Sequence, residues 1–267
     1  MVFTCPGCDK PEHLYVHRSK ALYICFRCGL RGGLLKDLVG RKSEWRRLCR
    51  LSEAREGPSE AEVDLGGCLY PLTGEAPPRG TPVAGATRYC LRRGLNQSQI
   101  SRYMVSAKPF DGRVWFPYWS RGRLTWAIGR SMGAVEPKTL DMGSDKPLFG
   151  LHVYRPVGDV FLVEGVFDHF ATPGSLALCG STISHTQLAE LVSLELSRVF
   201  VLLDPDAEEK ALQVAESCRS AGLKAYPVLL RGNDKDPADL GRVLVTELVK
   251  VVREGAPVRP QAVRLHV

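Results

Sequence analysis

The first residues of this chain whose types and spacing imply chemistry are four cysteines in two tight pairs, Cys5/Cys8 and Cys25/Cys28. The run CPGC, sixteen residues, then CFRC has the spacing of a four-thiolate zinc site. Two residues between paired cysteines let both thiolates reach one ion from a tight turn. Gly7 and Gly29 stand where such turns need a permissive backbone. Between the pairs, Leu14-Tyr15-Val16 and Ala21-Leu22-Tyr23-Ile24 read as two strands of a ribbon. A unit of about forty residues cannot fold on its own core, and one structural zinc ion would supply on the order of 10 kcal/mol. The competing readings are a redox dithiol pair or ordinary core cysteines. Tyr15, His17, Arg18, Lys20, Phe26, Arg27 and Arg31 offer aromatic and basic groups for stacking on bases and contacting phosphates. A purely structural ribbon is the alternative.

The second chemical group is a set of acids. Glu164 follows the apolar run VFLV and precedes Gly165, and Asp168 lies one helical turn later. Asp204 and Asp206 follow VFVLL as D-P-D, and residues two apart in an extended chain point the same way. Asp236 and Asp239 lie in KDPADL. Carboxylates brought close repel, by about 4 kcal/mol at 4 Å and an effective dielectric of 20, and a cation resolves the repulsion. All-oxygen ligands favour magnesium or manganese over zinc. An acidic D-x-D loop alone is usually just solvated; the pairing with strand–Glu–Gly is what makes the metal reading strong.

The elements that position these groups are legible as patterns. Val160–Val163, Ser175–Cys179, Val199–Leu203 and Ala225–Leu230 read as short buried strands with helices between them, an α/β unit with a mainly parallel sheet. Open sheets of this kind bind ligands beyond the carboxyl ends of their strands, where all the acids fall. Ser184 with Gln187 forms a capping box, Ala211 to Cys218 repeats at helical spacing with Gly222 as its stop, and 238–253 reads as one amphipathic helix. Upstream, 86–104 reads as two short helices broken at Gly94, with Asn96 or Ser98 capping the second, and 113–132 as an antiparallel hairpin. The expected organisation is a zinc ribbon over 1–40, a basic helix (42–54) and Pro/Gly-rich linker over 41–85, a basic α+β subdomain over 86–157, the α/β domain over 158–254 and a tail over 255–267.

The 267 residues carry 36 Lys and Arg against 29 Asp and Glu, so the net charge of +7 is compatible with nucleic acid without requiring it. Arginines crowd 41–55 and 113–130; carboxylates concentrate after Asp159. Nine cysteines, an odd number with two C-x-x-C pairs, fit a reducing compartment better than a disulfide framework. Cys179 and Cys218 read as small core residues. No apolar run is long enough to span a membrane and no signal peptide is evident, so the sequence predicts a cytoplasmic protein.

FLVEGVFD and VLLDPDAEEKA resemble the two signature motifs of the TOPRIM domain. GRVWFPYWSRGRLTWAIGR with EPKTLDMGSDKPLFGL resembles the basic half of the DnaG-type primase core, and ATRYCLRRGL its entry. The N-terminal ribbon resembles the primase zinc-binding domain, so the likeness runs over nearly the whole chain. It implies RNA primer synthesis from NTPs on a single-stranded DNA template. Glu164 would then be the acid nearest the reaction, Asp204 and Asp206 would hold magnesium, and Asp168 and Asp236 would support it or bind a second ion. Arg113, Arg130 and Lys138 match basic positions of that core, Lys146 approximately; Arg121 and Arg123 of the same segment join them as nucleotide or template contacts. Cys8 stands where bacterial primases usually carry a histidine, which resembles bacteriophage primase–helicases. Ala238 stands where the family's last motif often has an acid. No GxxxxGK[ST] motif is present, so a separate replicative helicase is the expected partner. The rival readings are a TOPRIM nuclease and a non-catalytic zinc-bearing single-strand DNA-binding protein.

Overall fold

The computed structural model of the protein describes residues 2–5, 7–11, 14–17, 22–25, 27–28, 30–32, 70–72, 82–108, 111–120, 122–133, 135–143, 146–231, 237–240, 242–255 and 263–266. The basic helix expected over 42–54 lies outside them.

The N-terminal unit is an antiparallel ribbon of β1 (Val2–Phe3), β2 (Leu14–His17), β3 (Leu22–Cys25) and β4 (Arg31–Gly32), paired in that order. Among the described residues, Leu14, which faces Cys25 across the β2–β3 pair, and Tyr23 are buried; a unit of this length needs more than an apolar core to hold it. The cysteine turns close on the backbone bonds Asp9 N to Cys5 O and Cys25 N to Leu30 O. The left-handed backbone falls at Asp9 (φ 55°) rather than at Gly7. Gly7 instead provides room, since a Cβ there would sit 3.4 Å from Cys28 Sγ. Gly29 is outside the described residues.

The second sheet is antiparallel and runs β5 (Tyr70–Pro71), β6 (Ser106–Ala107), β7 (Arg113–Ser120), β8 (Arg123–Ser131) and β9 (Thr139–Met142). The expected hairpin is β7–β8, with a register shift at Tyr118/Trp119 that re-aims its far end. Helices α1 (Pro82–Arg92) and α2 (Gln97–Arg102) are separated by Gly94 (φ 85°). Asn96 caps α2 in a full capping box: Asn96 Oδ1 accepts from Gln99 N, and Gln99 Oε1 from Asn96 N. The linker expected over 41–85 is corrected at two places. Tyr70–Pro71 is an edge strand, a position that tolerates a proline, and α1 begins at Pro82, where the missing N–H leaves no helical bond unmade.

The third sheet is parallel throughout, in the order β11 (Ser175–Ala177), β10 (Gly158–Val163), β12 (Leu196–Leu202), β13 (Ala225–Arg231), β14 (Val263–His266). Its helices are α3 (Val166–Ala171), α4 (His185–Val192), α5 (Glu208–Ser220), α6 (Pro237–Leu240) and α7 (Arg242–Gly255). The tail expected over 255–267 therefore contains a sheet strand, and the single helix expected over 238–253 is two. Alternation along the strands splits the core. Val160, Leu162, Val199 and Val201 pack against α4 and α5. Phe161, Val163, Phe200 and Leu202 face the other way, in one cluster with α3, α7 and the inner residues Val114, Phe116 and Ile128 of the antiparallel sheet. The two sheets are thus joined through a common core. No helix among the described residues is long and apolar enough to cross a membrane.

Candidate active site

In the ribbon, Sγ of Cys5 lies 3.6 Å from that of Cys28, and Sγ of Cys8 lies 3.7 Å from that of Cys25. All four sulfurs are within 4.8 Å of one another. Four sulfurs at about 2.3 Å from a tetrahedral zinc ion are about 3.8 Å apart, so this is a four-cysteine zinc-binding cluster that fits one ion. At Cys25 burial works against the thiolate, but hydrogen bonds from the backbone N–H groups of Cys28 and Arg27 and from the Cys5 and Cys28 side chains together bring the pKa down to about 7.

In the parallel sheet the chain passes from β10 to β11 on one side and then to β12 on the other. The carboxyl ends of β10 and β12 flank this reversal, the place where open α/β sheets bind ligands. Val163 and Leu202, the last residues of those strands, are in register. Glu164 follows the first and Asp204 stands two residues beyond the second, so two carboxylates reach one crevice. The crevice is a cleft of about 260 Å³ bounded by Glu164, Gly165, Asp168, Cys179, Gly180 and Asp204 from the parallel-sheet half. Arg93, Ile128, Arg130 and Thr139 from the antiparallel half form the facing wall. Asp204 is half-buried, with its Oδ1 atom shut off from solvent.

The acids do not all play the same part. Asp168 is 6% exposed, and both its oxygens accept backbone N–H groups, Oδ2 from Gly165 (2.8 Å) and Oδ1 from Ala238 (3.1 Å). It ties the turn after Glu164 to α6. Ala238 contributes to that tie through its main chain, so its lack of a carboxylate does not break it. Asp206 is exposed within the 3-10 turn Pro205–Ala207. Proline starts that turn, which corrects the expectation of an extended D-P-D presenting both carboxylates alike. Among the described residues the cysteines alone form a group of three or more ligands within 4.8 Å; Asp236 lies outside them. Glu164 and Asp204 nonetheless present hard oxygen donors to one cleft, which suits magnesium or manganese.

Of the basic residues expected at the site, Arg130 lines the cleft and donates from Nη1 to Thr139 Oγ1. Arg113 does not line it. It alternates with Val114, which packs into the shared core, and therefore points to the opposite face of β7, where it is 4% exposed. Lys138 is exposed outside the lining, Arg123 is exposed at the tip of the β7–β8 hairpin, and Arg121 is not described. Lys146 is also outside the lining but touches it: its Nζ donates to Cys179 O (2.9 Å), would sit 3.7 Å from a Cβ at Gly180, and is 3.9 Å from Asp141.

The sequence did not single out Arg93 or Thr139. Arg93 follows α1, with its guanidinium 4.7 Å from the centroid of the Phe167 ring. Its signal was the RRGL segment. Behind α3, His169 is buried between Tyr103 Oη (2.6 Å from Nε2) and Ser175 Oγ (3.2 Å from Nδ1). Burial pushes its pKa down to about 3, so it stays neutral and structural.

No family model matches this chain. A solved DnaG catalytic core superposes with a TM-score of 0.54 over 66% of this chain and 74% of that one, at 21% identity. A DnaG primase catalytic domain bound to single-stranded DNA gives 0.53 over 66% and 73%, at 22% identity. The chain has the fold of the DnaG primase catalytic core. In sequence, the DNA primase of Chlamydia trachomatis is 24% identical over 310 aligned positions, which cover 87% of this chain and 50% of that protein. The DNA primase of Chlamydia muridarum matches at 24% over 306 positions with the same coverage. The chain thus spans about half the length of the curated relatives it matches. In that DnaG-like fold the cleft lies between the antiparallel-sheet half and the parallel-sheet half.

Proposed function

We propose that this protein is a DNA primase that makes short RNA primers on single-stranded DNA by metal-dependent nucleotidyl transfer. The observation that carries the reading is the cleft itself. Glu164 and Asp204, at the ends of adjacent strands, face Arg93 and Arg130 across a space of about 260 Å³ within a DnaG-like core.

The reaction joins a 3′-hydroxyl to the α-phosphate of an incoming NTP, and pyrophosphate leaves. Glu164 and Asp204, with Asp206 and Asp236 as further acids, would hold a divalent cation, which when bound lowers the hydroxyl pKa and neutralises charge on the reacting phosphate. The protein's own work is positioning and electrostatics. Arg93 and Arg130 bind the triphosphate oxygens from the wall opposite the acids. Phe167, beneath the Arg93 guanidinium, fixes its plane. The Glu164 carboxylate is placed to take the proton of the attacking hydroxyl. Gly165 and Gly180 leave the cleft floor bare of side chains, so a phosphate approaches the backbone closely. Lys146 adds positive charge at the rim. The zinc-bound ribbon supplies template contacts through Arg27 and its neighbours.

The test is incubation with magnesium, labelled NTPs and single-stranded DNA of varied sequence. Short template-dependent oligoribonucleotides are expected. Cleavage of the DNA would replace this reading with a TOPRIM nuclease, and binding without either product would replace it with a binding module.

A further inference from the structure

Helix α4 packs on the face of the parallel sheet opposite the shared core, yet two of its side chains reach the segment that carries Lys146. Gln187 is wholly buried, and both donor positions of its amide and one acceptor position of its oxygen are used. Its Oε1 accepts from Ser184 N, completing the cap of α4. Its Nε2 donates to Pro147 O (3.0 Å) and to Leu178 O (2.8 Å). One turn later, Glu190 Oε2 accepts from Leu148 N (2.7 Å), and its Oε1 accepts more weakly from Tyr118 Oη of β7 (3.4 Å).

Of the two segments that Gln187 joins, one continues into the cleft lining at Cys179 and Gly180, and the other carries Lys146, whose ammonium bonds Cys179 O. Residues 146–149 run against the end of β11 through the paired bonds between Phe149 and Ala177. Lys146 Nζ donates to Cys179 O, the residue after the carbonyl that Gln187 holds. Cys179 has a left-handed backbone (φ 53°), a costly conformation for a side-chain-bearing residue that persists only where its surroundings enforce it. Gly180 N then donates to Glu164 O. From the Gln187 amide one hydrogen bond reaches Leu178 O, the chain runs on through Cys179 to Gly180, and Gly180 N bonds Glu164 O; the other reaches Pro147 O, the residue next to Lys146.

We infer that Gln187, seconded by Glu190, is a positioning residue that sets the Lys146 ammonium against the carboxylate cleft. The inference rests on the primase reading of that cleft, with Lys146 as a contact to the anionic substrate. A shift of about 1 Å at such a group costs on the order of 100-fold in rate. Gln187 touches no reacting atom and acts only through the segments it joins.

The experiment has two arms on the full chain. In the first, Gln187→Met, Lys146→Met and the double variant are compared in primer synthesis. Gln187→Met is expected to lower the rate about ten-fold or more, and the double variant to be no slower than Lys146→Met alone. Multiplied losses in the double variant would overturn the inference. In the second arm, acylation of individual lysines of the folded protein is followed by mass spectrometry. Lys146 is expected to react several-fold faster in Gln187→Met, with exposed Lys210 and Lys224 unchanged; an unchanged Lys146 rate would overturn the inference. This arm needs no activity, so a wild-type protein that makes no primers sinks the primase reading alone. Ser184→Ala removes the cap but keeps both amide donors, and is expected to leave Lys146 as in wild type. Should Gln187→Met fail to fold, Glu190→Leu frees the same segment and is held to the same outcomes, with Glu190→Gln, which keeps an acceptor for Leu148 N, restoring the wild-type pattern.

Discussion

Replacing Asp168 by asparagine separates two roles for this acid. Its carboxylate is buried and holds Gly165 N and Ala238 N, one on each oxygen. Asparagine keeps one acceptor and turns the other into a donor facing a backbone N–H. The lost charge-assisted bond is worth about 1.5–3 kcal/mol, and a buried donor left unmet adds about 1–3 kcal/mol. Relaxation of the short helix α6 recovers part of this, so a loss of about 3 kcal/mol is expected. In urea unfolding followed by far-UV circular dichroism, with a slope of about 2–3 kcal/mol per molar, the midpoint falls by about 1 M with the slope unchanged. Hydrogen exchange at the Gly165 and Ala238 amides rises with it. All of this is measured without magnesium. A metal-free loss under about 0.5 kcal/mol, together with weakened magnesium affinity, would refute the tie and make Asp168 a ligand.

Three further outcomes follow from the same geometry. Arg130→Ala removes a guanidinium from the cleft wall and is expected to raise the KM for NTP about ten-fold or more, whereas Arg123→Ala, at the exposed hairpin tip, changes it less than about two-fold; equal effects would contradict the assigned wall. His152 has both ring nitrogens buried without hydrogen-bond partners, among Tyr103, Tyr118 and Phe149, and burial pushes its pKa down to about 4. The unfolded chain binds protons first, so this stability is whole above about pH 6.5 and is lost as the pH falls toward 4, by at most about 1.4 kcal/mol per unit; His152→Phe is expected to flatten that part of the pH–stability curve without loss at pH 7. The cysteine cluster predicts one zinc per chain by elemental analysis, and Cys25→Ser is expected to bind it at least about 100-fold more weakly; stoichiometric zinc of unchanged affinity in that variant would contradict the four-thiolate site.

Much of the fold was legible because the signals were local. The apolar runs before Glu164 and Asp204, the Ser184–Gln187 capping pair, the helix cap at Asn96 or Ser98 (the structure uses Asn96) and the cysteine spacing all act within a few residues. What escaped depends on partners distant in sequence. The strands at Tyr70–Pro71 and Val263–His266 are two and four residues long beside proline-rich segments, and they are strands only because β6 and β13 offer them an edge. The face of a sheet residue is likewise set by register. Arg113 and Arg130 look alike in one basic segment, yet pairing of Val114 with Arg130 puts the first behind the sheet and the second in the cleft. Arg93 is some seventy residues before Glu164, and packing on Phe167 helps bring it to the acids. Asp206 left the expected line because Pro205 begins a helical turn.

The most direct test of the account compares wild type with Glu164→Gln and Asp204→Asn in magnesium-dependent synthesis from labelled NTPs on single-stranded DNA, with DNA binding measured in parallel. The account requires template-dependent short RNA from wild type and about one-hundredth of that product or less from either variant, with DNA binding and bound zinc retained. Wild-type levels of product from both variants would place the chemistry outside this cleft and contradict the account.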